Sequence, residues 1–213
     1  MMSNRRLTVF SGAPTPWYLA GGAPTPVAAY KPKGAASLAV SYVNLANPGT
    51  YDCALGVAPT WDATNGWIFN GSTQYLNTGV QVALGYSAII RYSTVTNFDT
   101  WIFGKFGGAF GFVPRQGGGN VQYQYSATKT VAPGAASGVF AITKDYGYRN
   151  GVSDVAIGAS SLSLGTFNVY VGARNNGGTV DLFCAGYVQA FAIYSTTLSD
   201  TQVAAISAAM AAL

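Results

Sequence analysis

The chain has 213 residues, 49% of them hydrophobic and only 8% charged, with a formal net charge of +4. It contains no histidine and no glutamate, and its seven acidic groups are Asp52, Asp62, Asp99, Asp145, Asp154, Asp181 and Asp200. That balance allows one larger all-β domain with an appendage, leaves little for acid–base chemistry to draw on, and lacks the Lys/Arg stripe of a nucleic-acid binder.

An ordinary soluble domain is about a quarter charged, so this surface is covered instead by Ser, Thr, Asn, Gln, Gly and Tyr. Such a surface suits particles, adhesins and lectins, and equally a plain low-charge domain. Low charge also favours close self-association, since net charge keeps proteins apart.

At the N-terminus, Arg5–Arg6 precede only a short apolar run, Leu7 to Phe10. A secretory signal core needs about 7–15 apolar residues, and no run reaches the roughly 18 that a membrane-spanning helix requires. The expectation is no membrane insertion and, for an extracellular or virion-surface protein, a route without a classical signal peptide.

Gly-Ala-Pro-Thr-Pro occurs at 12–16 and again at 22–26. Each proline lacks a donor and biases its predecessor to extended geometry, so residues 1–29 read as an extended arm. Trp17, Tyr18 and Leu19 lie between the repeats, and their apolar area favours docking, on this chain's own body or on a neighbour. An arm docked on a neighbour predicts that removing residues 1–29 leaves the body folded and abolishes assembly.

Residues 30–213 read as strands. Val121, Tyr123 and Tyr125 alternate with Gln122 and Gln124, and Phe167, Val169 and Val171 with Asn168 and Tyr170, the period of half-buried strands. Tyr86 to Tyr92, Trp101 to Phe106 and Val180 to Tyr194 are β-branched and aromatic runs with turn residues at their ends. Asn150–Gly151 signals a primed hairpin turn, and Asn70–Gly71 a second turn. Ser199 with Gln202 three residues on is a capping-box pattern. Val203, Ile206, Met210 and Leu213 then share one face of a C-terminal helix.

Several segments resemble the concanavalin A-like lectin/glucanase superfamily, in its laminin-G-like branch. They are Gly66 to Leu76; Ser87 to Tyr92 followed by Trp101 to Lys105; Gly138 to Thr143 followed by Tyr148 to Val152; and Gly186 to Tyr194 followed by Thr197 to Gln202. The resemblance covers about residues 30–213 and implies an all-β, two-sheet antiparallel jelly-roll sandwich with an extended N-terminal arm and a short C-terminal helix. In style the chain also resembles phage-encoded members. The superfamily holds glucanases, lectins, adhesion domains and virion-associated modules, so the fold alone does not choose among them.

The glucanases of that superfamily use a Glu-x-Asp-x-x-Glu strand, which is missing here. Retaining glycoside hydrolysis by paired carboxylates needs them about 5 Å apart, and no two aspartates fall within four residues. A nucleophilic Ser or Cys would lack a base, and Gly117–Gly119 lacks the Lys-Ser/Thr of a phosphate loop. A lyase would have to use Tyr123, Tyr125, Arg115 and Lys105, tyrosines whose ordinary role in strands is packing. The expectation is therefore a protein that is not an enzyme, with no catalytic residues.

No cofactor is expected. Calcium is the one ion weighed, through Asp99 near Asn97 or Asp62 near Asn65, as the resemblance suggests; a loop aspartate capping its own turn is the simpler reading. Cys53 and Cys184 can form one disulfide or remain two buried thiols, and cannot make a four-ligand zinc site.

Sugar sites combine aromatic platforms with Asn, Asp and Arg. Three polar loops fit: Arg115 to Asn120 beside Tyr123 and Tyr125, the run Arg174, Asn175 and Asn176, and Trp61–Asp62. Each also reads as an ordinary solvated loop. The candidate ligand-binding residues are Arg115, Asn120, Tyr123, Tyr125, Arg174, Asn175 and Asn176, and the docking residues Trp17, Tyr18 and Leu19. The functional expectation is a structural or adhesion module on the outside of a particle, such as a virion capsid decoration. It would meet copies of itself or virion neighbours through the arm and hold surface glycans weakly; a carbohydrate-binding lectin is the alternative.

Overall fold

The protein is described from a computed structural model covering residues 14–159, 161 and 166–213. In chain order the strands are β1 (Ala28–Tyr30), β2 (Ala54–Val57), β3 (Thr60–Asp62), β4 (Gly66–Asn70), β5 (Tyr75–Asn77), β6 (Ser87–Ser93), β7 (Phe103–Phe106), β8 (Phe110–Val113), β9 (Val121–Tyr125), β10 (Ala127–Val131), β11 (Gly138–Ile142), β12 (Tyr146–Arg149), β13 (Val152–Ala156), β14 (Tyr170–Val171), β15 (Arg174–Asn176), β16 (Thr179–Asp181) and β17 (Ala185–Tyr194). The helices are α1 (Leu38–Ser41) and α2 (Asp200–Ala211), and Trp17–Gly22 form a 3₁₀ turn.

These strands make two sheets. The first runs β13-β12-β11-β6-β17-β4-β3, with β1 also paired to β17; the second runs β10-β9-β8-β7-β14-β5-β2, with β15 paired to β7 and β16 to β15. Pairing is antiparallel except between β7 and β15 and at the Trp101–Phe183 bridge. This is the two-sheet sandwich expected from the sequence. Asn150 and Gly151 have φ of 50° and 83°, the geometry of the primed hairpin turn that joins β12 to β13.

β17 is the axis of the first sheet. It pairs with β6 on one side, and with β4 through Ala185–Val188 and β1 through Phe191–Ile193 on the other. Ala190 to Tyr194 are fully buried. Alternate residues of a strand point to opposite faces, so both faces of this stretch must be covered. Phe191 and Ile193 face the sandwich core with Trp67, Phe103, Phe112 and Phe140. Ala190, Ala192 and Tyr194 face the other way, against Val203, Ile206 and Met210 of α2.

The capping box predicted for α2 is present. Ser199 Oγ accepts from Gln202 N at 3.3 Å, and Gln202 Oε1 accepts from Ser199 N at 3.0 Å.

Residues 14–29 dock on this chain. Trp17 joins the apolar cluster under α2, the Tyr18 hydroxyl donates to Leu45 O, and the Tyr194 hydroxyl donates to Tyr18 O. Leu19 is half-buried. The segment is not wholly extended as the prolines suggested: Pro16 opens a short turn, which Gly21 and Gly22 close at positive φ. Its last residues, Ala28 and Ala29, belong to a buried strand of the first sheet.

Tyr123 on β9 also joins the two sheets, because its hydroxyl donates to Asp154 Oδ2 on β13 at 2.9 Å, where Arg149 Nε also donates. Cys53 and Cys184 are free, buried thiols; burial pushes the Cys184 thiol up to about 12, where it is inert as a nucleophile.

Trp17→Ala is expected to cost about 3 kcal/mol of unfolding free energy, as for a large core truncation, and removal of residues 1–29 is expected to destabilise the body further by taking two residues of β1. Chemical denaturation of the three proteins checks both; unchanged midpoints would show the N-terminal contacts to be energetically idle.

Candidate functional site

α2 packs against β6, β11 and β13, on the outside of the first sheet. The outer face of the second sheet carries neither described helix, and its side chains follow from the register. Asn77 pairs with Tyr170, Tyr170 with Gly104, Gly104 with Gly111, Gly111 with Gln124, and Gln124 with Thr128. Leu76, Val171, Phe103, Phe112 and Tyr123 are in the core, so the residues alternating with them form one transverse row on the outside.

Two glycines shape this row. A Cβ on Gly104 or Gly111 would lie 2.3 Å or 2.6 Å from the Trp101 indole, so the ring lies directly on bare backbone. Trp101 is itself covered, at 3% exposure. The Arg174 guanidinium carbon sits 5.5 Å from its ring centre and 4.9 Å from that of Phe106, and Phe106 is 46% exposed.

Arg174 is held in place by Asp181. Its Nε and Nη2 donate to the two carboxylate oxygens at 2.7 Å each, and Asn176 Nδ2 adds a third bond at 3.0 Å. This is the bidentate fork that arginine geometry favours. The hydrogen bonds from Arg174, then those from Asn176, hold the Asp181 carboxyl below its ordinary range against the opposing effect of burial.

On the other side of Gly104, the half-buried rings of Tyr170 and Tyr75 lie 4.9 Å apart, with Phe183 edge-on to Tyr75 at 6.3 Å. Burial, then the neighbouring Tyr75, pushes the Tyr170 phenol up. Beyond Gly111, the buried Gln124 side chain links half-buried Gln122 to exposed Thr128: Gln124 Nε2 donates to Gln122 Oε1, and Thr128 Oγ1 donates to Gln124 Oε1 at 2.8 Å.

The sequence-nominated residues separate. Arg174 and Asn176 fall on this face, together with Trp101, Phe106, Asp181, Tyr75 and Tyr170, which sequence reasoning did not nominate. Tyr123, Tyr125 and Asn175 are corrected. Tyr123 and Tyr125 are fully buried core residues, and Asn175 is 3% exposed. The β9 register turns the tyrosines inward, while Asn175 donates to Asn168 O and accepts from Gly178 N. Arg115 lies past the end of β8, stacked 4.1 Å from the Phe98 ring centre with Nη1 on Val95 O and Thr96 O. Asn120 shapes its own loop, its carbonyl accepting from Gln116 N. The Trp61 indole donates to Pro32 O.

Lys105 is buried in β7 and donates to Gly107 O. The Asp62 carboxylate accepts from Thr64 N, Asn65 N and Asn65 Nδ2, and Asp99 Oδ1 accepts from Gly117 N. A cleft of about 570 Å³ near the start of α2 includes Tyr148, Ser199, Asp200 and Gln202. Ser199 and Gln202 serve the helix cap, Tyr148 donates to Asp200, and Asp145, also in its lining, pairs with Lys144.

No family model and no curated protein matches the sequence. Among solved structures, the chain is similar to Trypanosoma rangeli sialidase in complex with 2,3-difluoro-KDN, at 13% identity and a TM-score of 0.59 over 86% of this chain and 32% of that one. The same sialidase in complex with sialic acid gives 14%, 0.57, 86% and 32%. Domain 4 of AbnA, a GH43 extracellular arabinanase from Geobacillus stearothermophilus, in complex with arabinotriose, gives 17% and 0.53 over 86% of this chain and 98% of that one. The chain thus spans about a third of the sialidase chains it resembles. At these identities the likeness is one of fold, a β-sandwich.

These likenesses overturn the expectation that the protein is not an enzyme: the structures sharing its fold are sialidases and an arabinanase domain, which belong to enzymes.

Asp181→Asn is expected to loosen the Arg174 fork and to flatten the acid limb of the stability profile. A carboxyl with a depressed folded pKa contributes stability that is present above its unfolded value, near 3.8, and lost as pH falls through the lower folded value. Thermal melts from pH 2 to 6 check this; identical acid limbs in the two proteins would remove Asp181 from the account.

Proposed function

We propose that the protein binds carbohydrate on the outer face of its second sheet. The carrying observation is the exposed Phe106 ring beside the Arg174–Asp181–Asn176 fork, on a sheet face that carries no helix among the described residues. A sugar ring offers an apolar face of C–H groups and a rim of hydroxyls. The first suits an aromatic surface, and the second suits planar groups whose positions are held by other hydrogen bonds. The Tyr75–Tyr170 pair adds a second aromatic surface across Gly104.

Two further considerations support this reading. The arabinanase domain of similar fold was solved with arabinotriose bound, and the sialidase with sialic acid. The resemblance to concanavalin A-like, laminin-G-like lectins points the same way. The particle-exterior reading drew on the uncharged, aromatic-rich body and on an N-terminal arm suited to docking. Residues 17–22 instead pack on this chain's α2, so the glycan-binding reading takes precedence.

A broad glycan array, followed by calorimetry on the strongest hits, tests the proposal. Phe106→Ala and Arg174→Ala are each expected to weaken binding at least tenfold, about 1.4 kcal/mol, with unchanged circular dichroism. Affinity is expected to be equal with calcium and with chelator, since Asp62 and Asp99 already accept backbone N–H groups. Silence of the wild-type protein across the array, presented multivalently so that weak sites register, would refute the proposal.

A further inference from the structure

We infer that the ligand of this face is a linear, uncharged glycan chain laid across the strands, occupying several subsites from Asn77 to Thr128; this rests on the carbohydrate-binding reading above. The first support is length. The outward row keeps its register through six strands, β5, β14, β7, β8, β9 and β10, half-buried at Asn77 and Tyr170, covered by Trp101 over Gly104 and Gly111, buried at Gln124 and exposed at Thr128. Five steps of about 4.8 Å make a lane of about 24 Å, several sugar rings long.

The second support is the change of chemistry along the lane. Tyr75, Tyr170 and Phe106 supply aromatic surface at one end. At the other, half-buried Gln122 and exposed Thr128 and Thr130 supply an amide and hydroxyls, with Gln124 buried between them as their support. Among the described residues, no protein acceptor is paired with Gln122 Nε2, while its Oε1 is taken by Gln124. A single bound sugar at Phe106 would leave this polar half of the lane without a role.

The third support is charge. Arg174 and Asp181, the ion pair beside the lane, neutralise each other in a fork closed by Asn176. An acidic sugar placed there would meet a cation already committed to a carboxylate. Arg115 lies past the end of β8, with one nitrogen already given to two carbonyls. An uncharged chain loses nothing by this arrangement.

The test uses the full chain, neutral oligosaccharides of two to six units of the best array hit, and an acidic chain of matched length. Affinity is expected to rise at least tenfold from dimer to hexamer, to favour the neutral chain, and to hold between 50 and 500 mM salt. Gln122→Ala is expected to weaken hexamer binding at least threefold while leaving dimer binding unchanged. Thr130→Arg, on the exposed strand β10, blocks the same end should Gln122→Ala perturb the sheet. Tyr170→Ala is expected to weaken both lengths.

Affinity independent of length, preference for the acidic chain, or hexamer binding untouched by both Gln122→Ala and Thr130→Arg would overturn the lane while leaving a compact glycan site near Phe106. Absence of any glycan binding would overturn the carbohydrate reading and the lane with it.

Discussion

Burial of β17 on both faces is the constraint on which the rest of the molecule depends. A strand buried on both sides reads as a continuous apolar run, and Ala190-Phe191-Ala192-Ile193-Tyr194 is such a run. Phe191 and Ile193 need the second sheet to form the core; Ala190, Ala192 and Tyr194 need a further layer outside. α2 supplies that layer, and the Trp17 turn wedges beside it. The Tyr194 hydroxyl finds its acceptor in Tyr18.

That arrangement makes the two sheets unequal. Among the described residues, the first sheet carries a helix on its outside and the second does not, so their outward residues answer to different requirements. Val139, Ala141 and Ile89 face α2, whereas Gln122, Thr128 and Thr130 face outward with no helix above them. The open face is nevertheless specifically built. Gly104 and Gly111 give up side chains so that Trp101 lies on the backbone, and Trp101 in turn underlies Arg174. Phe106 is the exposed top of that stack. Such a surface holds its polar groups still before any ligand arrives, which lowers the ordering cost of binding.

Much of the fold was legible because its signals are local. Asn150–Gly151 demands a primed turn from two adjacent residues, Ser199 and Gln202 cap a helix within one turn, and the β9 alternation needs only five residues. Local alternation could not say which side of β9 was the core. The tyrosines looked like a sugar platform beside the Arg115 loop, yet their rings fill the interior, and Gln122 and Gln124 take the opposite side of the strand. Arg174 and Asn176 were found because a polar run between apolar strands stands out. Trp101, Phe106, Tyr75 and Tyr170 were not, because an aromatic residue in a strand looks the same whether it points inward or outward. The exclusion of enzymes failed for a related reason: a residue inventory of one sandwich says little about the chains in which such sandwiches occur.

Composition, strand periodicity and turn chemistry were therefore enough to define a low-charge, two-sheet antiparallel sandwich with a capped C-terminal helix, because each depends on residues a few positions apart. The cover of Arg174 over Trp101 and the row from Asn77 through Tyr170 to Gly104 came from tertiary structure. They join segments up to about fifty to a hundred residues apart in sequence, through a strand register that only the folded sheet sets. The choice of which sheet received the helix, and so which face stayed open, was made by the same long-range packing.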